Sequence, residues 1–165
     1  MSTPEGADPR WAHLVATAGG LGRLRPGPGT WGSLGAAVLA WLGVTFLPAA
    51  LVPWALGIGI LFCVTIGTLA VRRVIAGAPP GADPSWVVID EVLGVWLALV
   101  VVPPASLVAS PGWCIIVATL MFRILDIAKP PPVSTLERLP GAWGIMADDA
   151  AAGLLAGAVT ALVLC

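Results

Sequence analysis

Five carboxylates stand where carboxylates are costly. Asp90 and Glu91 interrupt the apolar run WVVIDEVLGVW, Asp126 closes FRILDIAKP, and Asp148 and Asp149 lie in GIMADDAAAG. Ionisable groups embedded in such sequence face a protein interior or a water-filled cavity. Brought to one depth, five acids repel strongly unless cations lie between them. An all-oxygen donor set suits Mg²⁺, a hard ion that keeps several waters and accepts phosphate oxygens. The plain alternative is that the acids cap helix starts, where negative charge is favoured. Capping would suffice for one of Asp148 and Asp149, but it has the wrong sign for Asp126 at a helix end. Asp90, Glu91, Asp126, Asp148 and Asp149 are therefore the expected metal ligands.

Two cations accompany them. Arg123 lies three residues before Asp126, on the same face of a helix. Its planar fork could clamp a phosphate or simply pair with Asp126, and the spacing supports both equally. Lys129 suits a helix C-terminus, and it could equally meet an anionic lipid headgroup. Upstream, LRPGPGTWGS from Leu24 to Ser33 offers Gly27, Gly29 and Gly32 for a tight backbone path. Thr30 or Ser33 is suited to cap the helix that follows, whose free N–H groups would attract anions. It is not a P-loop, because G-x-x-x-x-G-K-[ST] is absent.

Absences narrow the chemistry. His13 is the only histidine, which excludes a His-rich zinc centre and a phosphohistidine enzyme with a second histidine; an interfacial structural role is expected for it. Leu69 and Leu120 stand six residues after Cys63 and Cys114, so there is no Cys-x₅-Arg nucleophile loop, and no Asp-x-Asp pair occurs. The three cysteines, Cys63, Cys114 and Cys165, sit in apolar stretches with neither disulfide nor zinc spacing and read as packing residues. What remains is carboxylates, a metal and water.

The elements that must position these groups are apolar. Of the 165 residues 58% are hydrophobic and only 10% charged, with a mean hydropathy of +0.97, a balance suited to lipid rather than water. Five stretches stand out: Trp31–Leu47, Val52–Val71, Trp86–Val102, Trp113–Ile127 and Ile145–Cys165. A spanning helix needs about 20 apolar residues, so an all-α, polytopic membrane bundle of about five helices is predicted. Proline marks the boundaries: Pro48 and Pro53 after the first stretch, Pro103, Pro104 and Pro111 after the third, and Pro130, Pro131 and Pro132 after Lys129. Gly153 and Gly157 form a small-xxx-small step that permits close backbone approach.

Every Lys, Arg, Asp and Glu falls within Glu5–Arg25, Arg72–Glu91 or Arg123–Asp149, and five spans put all three segments on one side. Basic loops stay cytoplasmic, so the charged end is expected to face the cytoplasm, with the N-terminus inside and Cys165 outside. The first ten residues, MSTPEGADPR, lack the basic start and apolar core of a secretory signal, leaving insertion to the later segments. A net charge of −1 gives no reason to expect nucleic acid as a partner. The chain fits one domain over 1–165, with a polar N-terminal segment at 1–25 and a motif-bearing core at 26–165.

Taken in order, PGPGTWGS, VVIDEVLGVW, FRILDIAKPPPV and GIMADDAAAG resemble the motifs of bacterial phosphatidylglycerophosphatase A enzymes, from Arg25 to Gly153. The resemblance implies a Mg²⁺-dependent inner-membrane phosphatase that converts phosphatidylglycerophosphate to phosphatidylglycerol, with membrane lipid around it. Carried over residue by residue, it implies a functional set of Asp90, Glu91, Arg123, Asp126, Lys129, Asp148 and Asp149, with Thr30 and Ser33 as auxiliaries. The competing reading is a small cation transporter or channel with a carboxylate-lined vestibule. Acids at one end and none near the other make a poor continuous path for ions.

Overall fold

A computed structural model describes residues 10–79 and 83–164 of the chain; Cys165 and residues 1–9 of the polar N-terminal segment lie outside the described residues. Among the described residues the architecture is helical throughout, without strands. In order these are α1 (Arg10–Ala16), a 3₁₀ turn (Ala18–Arg23), α2 (Pro28–Phe46), α3 (Val52–Phe62), α4 (Thr68–Val74), α5 (Ile89–Val101), α6 (Pro104–Ala109), α7 (Pro111–Ala128), α8 (Val133–Leu136) and α9 (Ala142–Leu164). A π-helical turn, Cys63–Gly67, joins α3 to α4, so Ala49–Val74 runs as one continuous helical segment.

Four segments are long and apolar enough to cross a membrane: Pro28–Phe46, Ala49–Val74, Pro111–Ala128 and Ala142–Leu164. The third apolar stretch differs from expectation. Its helix starts at Ile89, not near Trp86, and has only 13 residues. At 1.5 Å per residue that is about 20 Å, short of the roughly 30 Å hydrocarbon core. Its surroundings explain how so apolar a helix can be short: α5 is sheathed by protein. Val92, Leu93, Val95, Ala98 and Leu99 are all buried, and α2, α3, α7 and α9 pack around it.

Glycine makes that sheath tight. A Cβ on Gly153 would strike the carbonyl of Gly94, and one on Gly157 would meet the Ala98 carbonyl and, at 2.7 Å, Val101 Cβ. The small-residue step of α9 is thus the seam on which α5 rests. On the opposite flank, the fully buried Phe122 ring of α7 occupies the space a side chain at Gly94 would need. Trp96 reaches from α5 to α2, where its Nε1–H donates to the Ala36 carbonyl at 3.1 Å. Apolar side chains such as Val38, Phe46, Ile58, Leu120 and Leu162 point outward, as lipid-facing surfaces require.

α2, α5 and α9 begin, and α7 ends, at the same end of the bundle. That end carries all the described charge, and the opposite connections, around Pro48 and Pro103, carry none.

Candidate active site

Four helix ends meet over a cavity of about 190 Å³ lined by all five acids, Asp90, Glu91, Asp126, Asp148 and Asp149, together with Arg123 and Lys129. The lead-in to α2 forms one wall through Gly27, Pro28 and Gly29. Gly27 has a φ of 67°, a left-handed conformation that suits glycine, and it begins α2 without any side-chain cap. Gly29 lies so close to Glu91 that a Cβ there would collide with the carboxylate. Thr30 and Ser33 fall inside α2 instead of capping it. The Ser33 hydroxyl donates to the Gly29 carbonyl at 2.9 Å, Thr30 is exposed, and neither lines the cavity.

Within the cavity the acids divide into two kinds. Asp126 accepts from Arg123 at 2.7 Å, and Asp148 accepts from the Lys129 ammonium at 2.8 Å. The Arg123 guanidinium also lies 3.9 Å from Glu91. Of the two roles left open for Arg123, the pair with Asp126 is therefore present, and the guanidinium is at the same time turned toward the other acids. Asp90, Glu91 and Asp149 form the second kind, each offering an oxygen, all within 4.8 Å of one another. Asp90 Oδ1 and Glu91 Oε2 are buried and have no hydrogen-bond partner. Buried polar atoms in folded proteins are nearly always satisfied. Two orphaned carboxylate oxygens beside a third acid form an oxygen-only donor set that a divalent cation would satisfy.

Helix capping does not account for the α9 pair. Asp148 and Asp149 sit past the first turn of a helix that starts at Ala142, beyond the reach of its terminus. Asp90 and Glu91 do lie in the first turn of α5, where the dipole favours negative charge.

Lys129 occupies the C-cap of α7 with φ 43°, uncommon for a residue bearing a Cβ, and Pro130 follows directly. Its ammonium is held by Glu137 Oε1 and Asp148 Oδ2, both at 2.8 Å. Partial burial works against the charge, but these two hydrogen bonds outweigh it and raise the ammonium above the ordinary lysine range. Because the shift is upward, the stabilisation is fully present at neutral pH and fades only in strongly alkaline solution.

The family pattern described as Phosphatidylglycerophosphatase A matches residues 14–164. The chain belongs to the phosphatidylglycerophosphatase A family. Two relatives bearing that name, from Haemophilus influenzae and Escherichia coli, are 35% and 34% identical over 87% and 89% of this chain and 83% and 80% of their own. A Bacteroides thetaiotaomicron relative, provisionally named a phosphatidylinositol-3-phosphatase, is 35% identical over 86% of both chains. No solved structure matches. As a member of the phosphatidylglycerophosphatase A family the chain is a phosphatase, and the acid-lined cavity is the candidate place for that chemistry.

Three residues at this site escape a sequence reading. Asp83 and Ser85 line the cavity from the loop before α5, and Glu137 reaches Lys129 from just beyond α8. All lie in short proline-broken segments without periodicity; their only sequence signal is membership of the charged segments. A prediction separates the two lysine contacts. Lys129→Gln leaves the buried Asp148 without its cation and is expected to lower phosphatase turnover by on the order of 10²-fold. Glu137→Gln touches a half-exposed pair worth at most about 1 kcal/mol and is expected to change turnover less than about threefold. Steady-state kinetics on both variants checks this; equal losses would show the two contacts to be equivalent.

Proposed function

We propose that the chain hydrolyses the terminal phosphate monoester of phosphatidylglycerophosphate, giving phosphatidylglycerol and phosphate, with Mg²⁺ held at the charged end of the bundle on the cytoplasmic side of the inner membrane. The observation that carries this reading is the trio Asp90, Glu91 and Asp149, the two aspartates buried and two oxygens unsatisfied, beside two fixed cations. The names of the relatives from H. influenzae and E. coli supply the substrate.

Asp90, Glu91 and Asp149 would hold the Mg²⁺, with Asp126 and Asp148 at its margin. Bound there, Mg²⁺ supplies charge neutralisation on phosphoryl oxygens and acidifies a water. Arg123 offers guanidinium N–H groups to the equatorial oxygens of the phosphoryl group, and Asp126 fixes the orientation of that fork. Lys129 brings a second positive charge to the cavity rim. One cavity carboxylate accepts the proton of the attacking water as its oxygen bonds to phosphorus; the ester P–O bond breaks, and the departing glycerol oxygen takes up a proton. Positioning and electrostatics of this kind are most of what phosphoryl transfer asks of a protein. The acyl chains stay in the bilayer, so only the headgroup enters a cavity of about 190 Å³.

The rival reading, an ion path, gains no support at the far end, where a cavity is lined by apolar residues such as Val52, Leu56, Leu99 and Leu107.

The test uses the purified chain in vesicles containing phosphatidylglycerophosphate. Phosphate release is expected with Mg²⁺, loss of at least about 100-fold in chelator, and recovery on adding Mg²⁺ back. Undiminished release in chelator would remove the metal from the scheme. Faster release from phosphatidylinositol 3-phosphate would transfer the substrate assignment to the chemistry named for the Bacteroides relative.

A further inference from the structure

The described acids all belong to the site, but several of the described arginines do not. Asp83, Asp90, Glu91, Asp126, Asp148 and Asp149 line the cavity and Glu137 binds Lys129, which leaves no described carboxylate paired with Arg10, Arg72 or Arg73. These three are exposed and belong to one surface, because α1 packs on α4 and the Arg73 guanidinium lies 5.8 Å above the Trp11 ring. A cation–π contact engages the face of a guanidinium and leaves its edge N–H groups free to donate. Arg72 and Arg73 close the apolar segment Ala49–Val74, which places them where hydrocarbon gives way to headgroups. Trp11 and Leu14, 41% and 60% exposed, give α1 the apolar side chains of a helix lying at that boundary. The helix is also fastened in place: His13 stacks on Trp86 with centroids 5.1 Å apart, and the Val88 N–H donates to the Ala16 carbonyl at 2.8 Å.

A second, independent feature lies below this surface. A cavity of about 300 Å³ opens beneath α1, with Leu14, Val15, Ala36, Phe62 and Trp96 among its almost wholly apolar lining. It shares Leu39 and Trp96 as walls with another of about 250 Å³ between α2 and α3. Phe62 precedes Arg73 by 11 residues of the same continuous segment, about 16 Å of helix and close to the half-thickness of a hydrocarbon core. A basic rim above an apolar slot of that depth has the chemistry of an anionic phospholipid: phosphate at the top, one acyl chain beneath.

We propose that Arg10, Arg72 and Arg73 bind the headgroup phosphate of an anionic phospholipid whose acyl chain occupies the slot under α1 between α2 and α3, at a place distinct from the acidic cavity. This lipid is bound and not consumed, since its phosphate meets none of the five cavity acids.

The experiment uses the full chain in detergent micelles and two non-hydrolysable diesters with the same fluorescent acyl chain, phosphatidylserine and phosphatidylcholine, followed by anisotropy. Phosphatidylserine is expected to bind about tenfold tighter, because the choline ammonium of phosphatidylcholine offsets the phosphate charge that the arginines meet, whereas phosphatidylserine keeps a net negative charge. The combined variant R10Q/R72Q/R73Q is expected to erase the preference while keeping its saturated turnover, and the single substitutions to reduce it stepwise should the combination fail to fold. Leu39→Trp, which fills the junction of the two cavities from an exposed position, is expected to weaken both lipids alike. Equal affinity of the wild-type chain for the two lipids, or a preference untouched by the arginine substitutions, overturns the headgroup site. Unaltered binding in Leu39→Trp overturns the slot. None of the binding readouts depends on which substrate the acidic cavity hydrolyses.

Discussion

Asp149→Asn is expected to lower phosphate release by on the order of 10³-fold while leaving the chain folded and, in chelator, more heat-stable than wild type. The loss follows from geometry: Asp149 is the one member of the trio contributed by α9, and without it Asp90 and Glu91 offer a divalent ion only neighbouring residues of a single helix. Loss of one preorganised charge-stabilising group in an active site costs 10²–10³ in rate. The gain in stability follows from the same packing. Ionised oxygens within 4.8 Å repel by about 3 kcal/mol or more per pair at an effective dielectric of about 20. Replacing Asp149 by an amide removes two such pairs. Mg²⁺ should therefore raise the unfolding temperature of the wild type and leave that of the variant nearly unchanged, since only a fold that binds the ion gains from it. Thermal scans with and without Mg²⁺, beside turnover, measure both effects. A variant that loses activity yet keeps the full Mg²⁺-dependent shift would show that Asp149 acts in some way other than holding the ion.

Gly153→Leu is expected to prevent stable assembly of the bundle. The first atom of any side chain at this position meets the backbone of Gly94, and backbone has no rotamer by which to yield. Overpacking typically costs 1–3 kcal/mol for a methylene or two, so Gly153→Ala should fall in that range, whereas leucine would force α5 and α9 apart along the whole seam. Gly57→Leu supplies the contrast: nothing lies within 4 Å of a Cβ there, and the position faces outward from α3. Accumulation in membranes and monodispersity in detergent should be normal for Gly57→Leu and lost for Gly153→Leu. Equal behaviour of the two would mean that the α5–α9 seam is not what holds the site together.

Much of this organisation is legible before any coordinates. The proline boundaries, the segregation of charge to one end and the glycine seam of α9 all follow from hydropathy and breaker residues, because lipid imposes simple rules on composition. The convergence of Asp90, Glu91, Asp126, Asp148 and Asp149 on one cavity is likewise the arrangement those rules favour. What sequence leaves out is the division of labour among the acids. Nothing in the spacing says that Asp148 turns to Lys129 across 19 residues while its neighbour Asp149 turns to Asp90 and Glu91. That depends on the rotation of α9 about its axis, which the Gly94 contact sets. The shortness of α5 is hidden for a related reason: hydropathy cannot distinguish a helix bathed in lipid from one wrapped in other helices. The residue types of Thr30 and Ser33 suit caps, but the left-handed Gly27 starts α2 earlier and absorbs both into the helix.

The cavity draws its walls from α2, α5, α7 and α9, and the last of these begins only at Ala142. During biogenesis the candidate site can therefore form only after α9 has been synthesised and has joined the helices that precede it. A nascent chain that stops short of α9 is expected to be catalytically inert, however much of it has already inserted. Competence arrives all at once, with closure of the bundle.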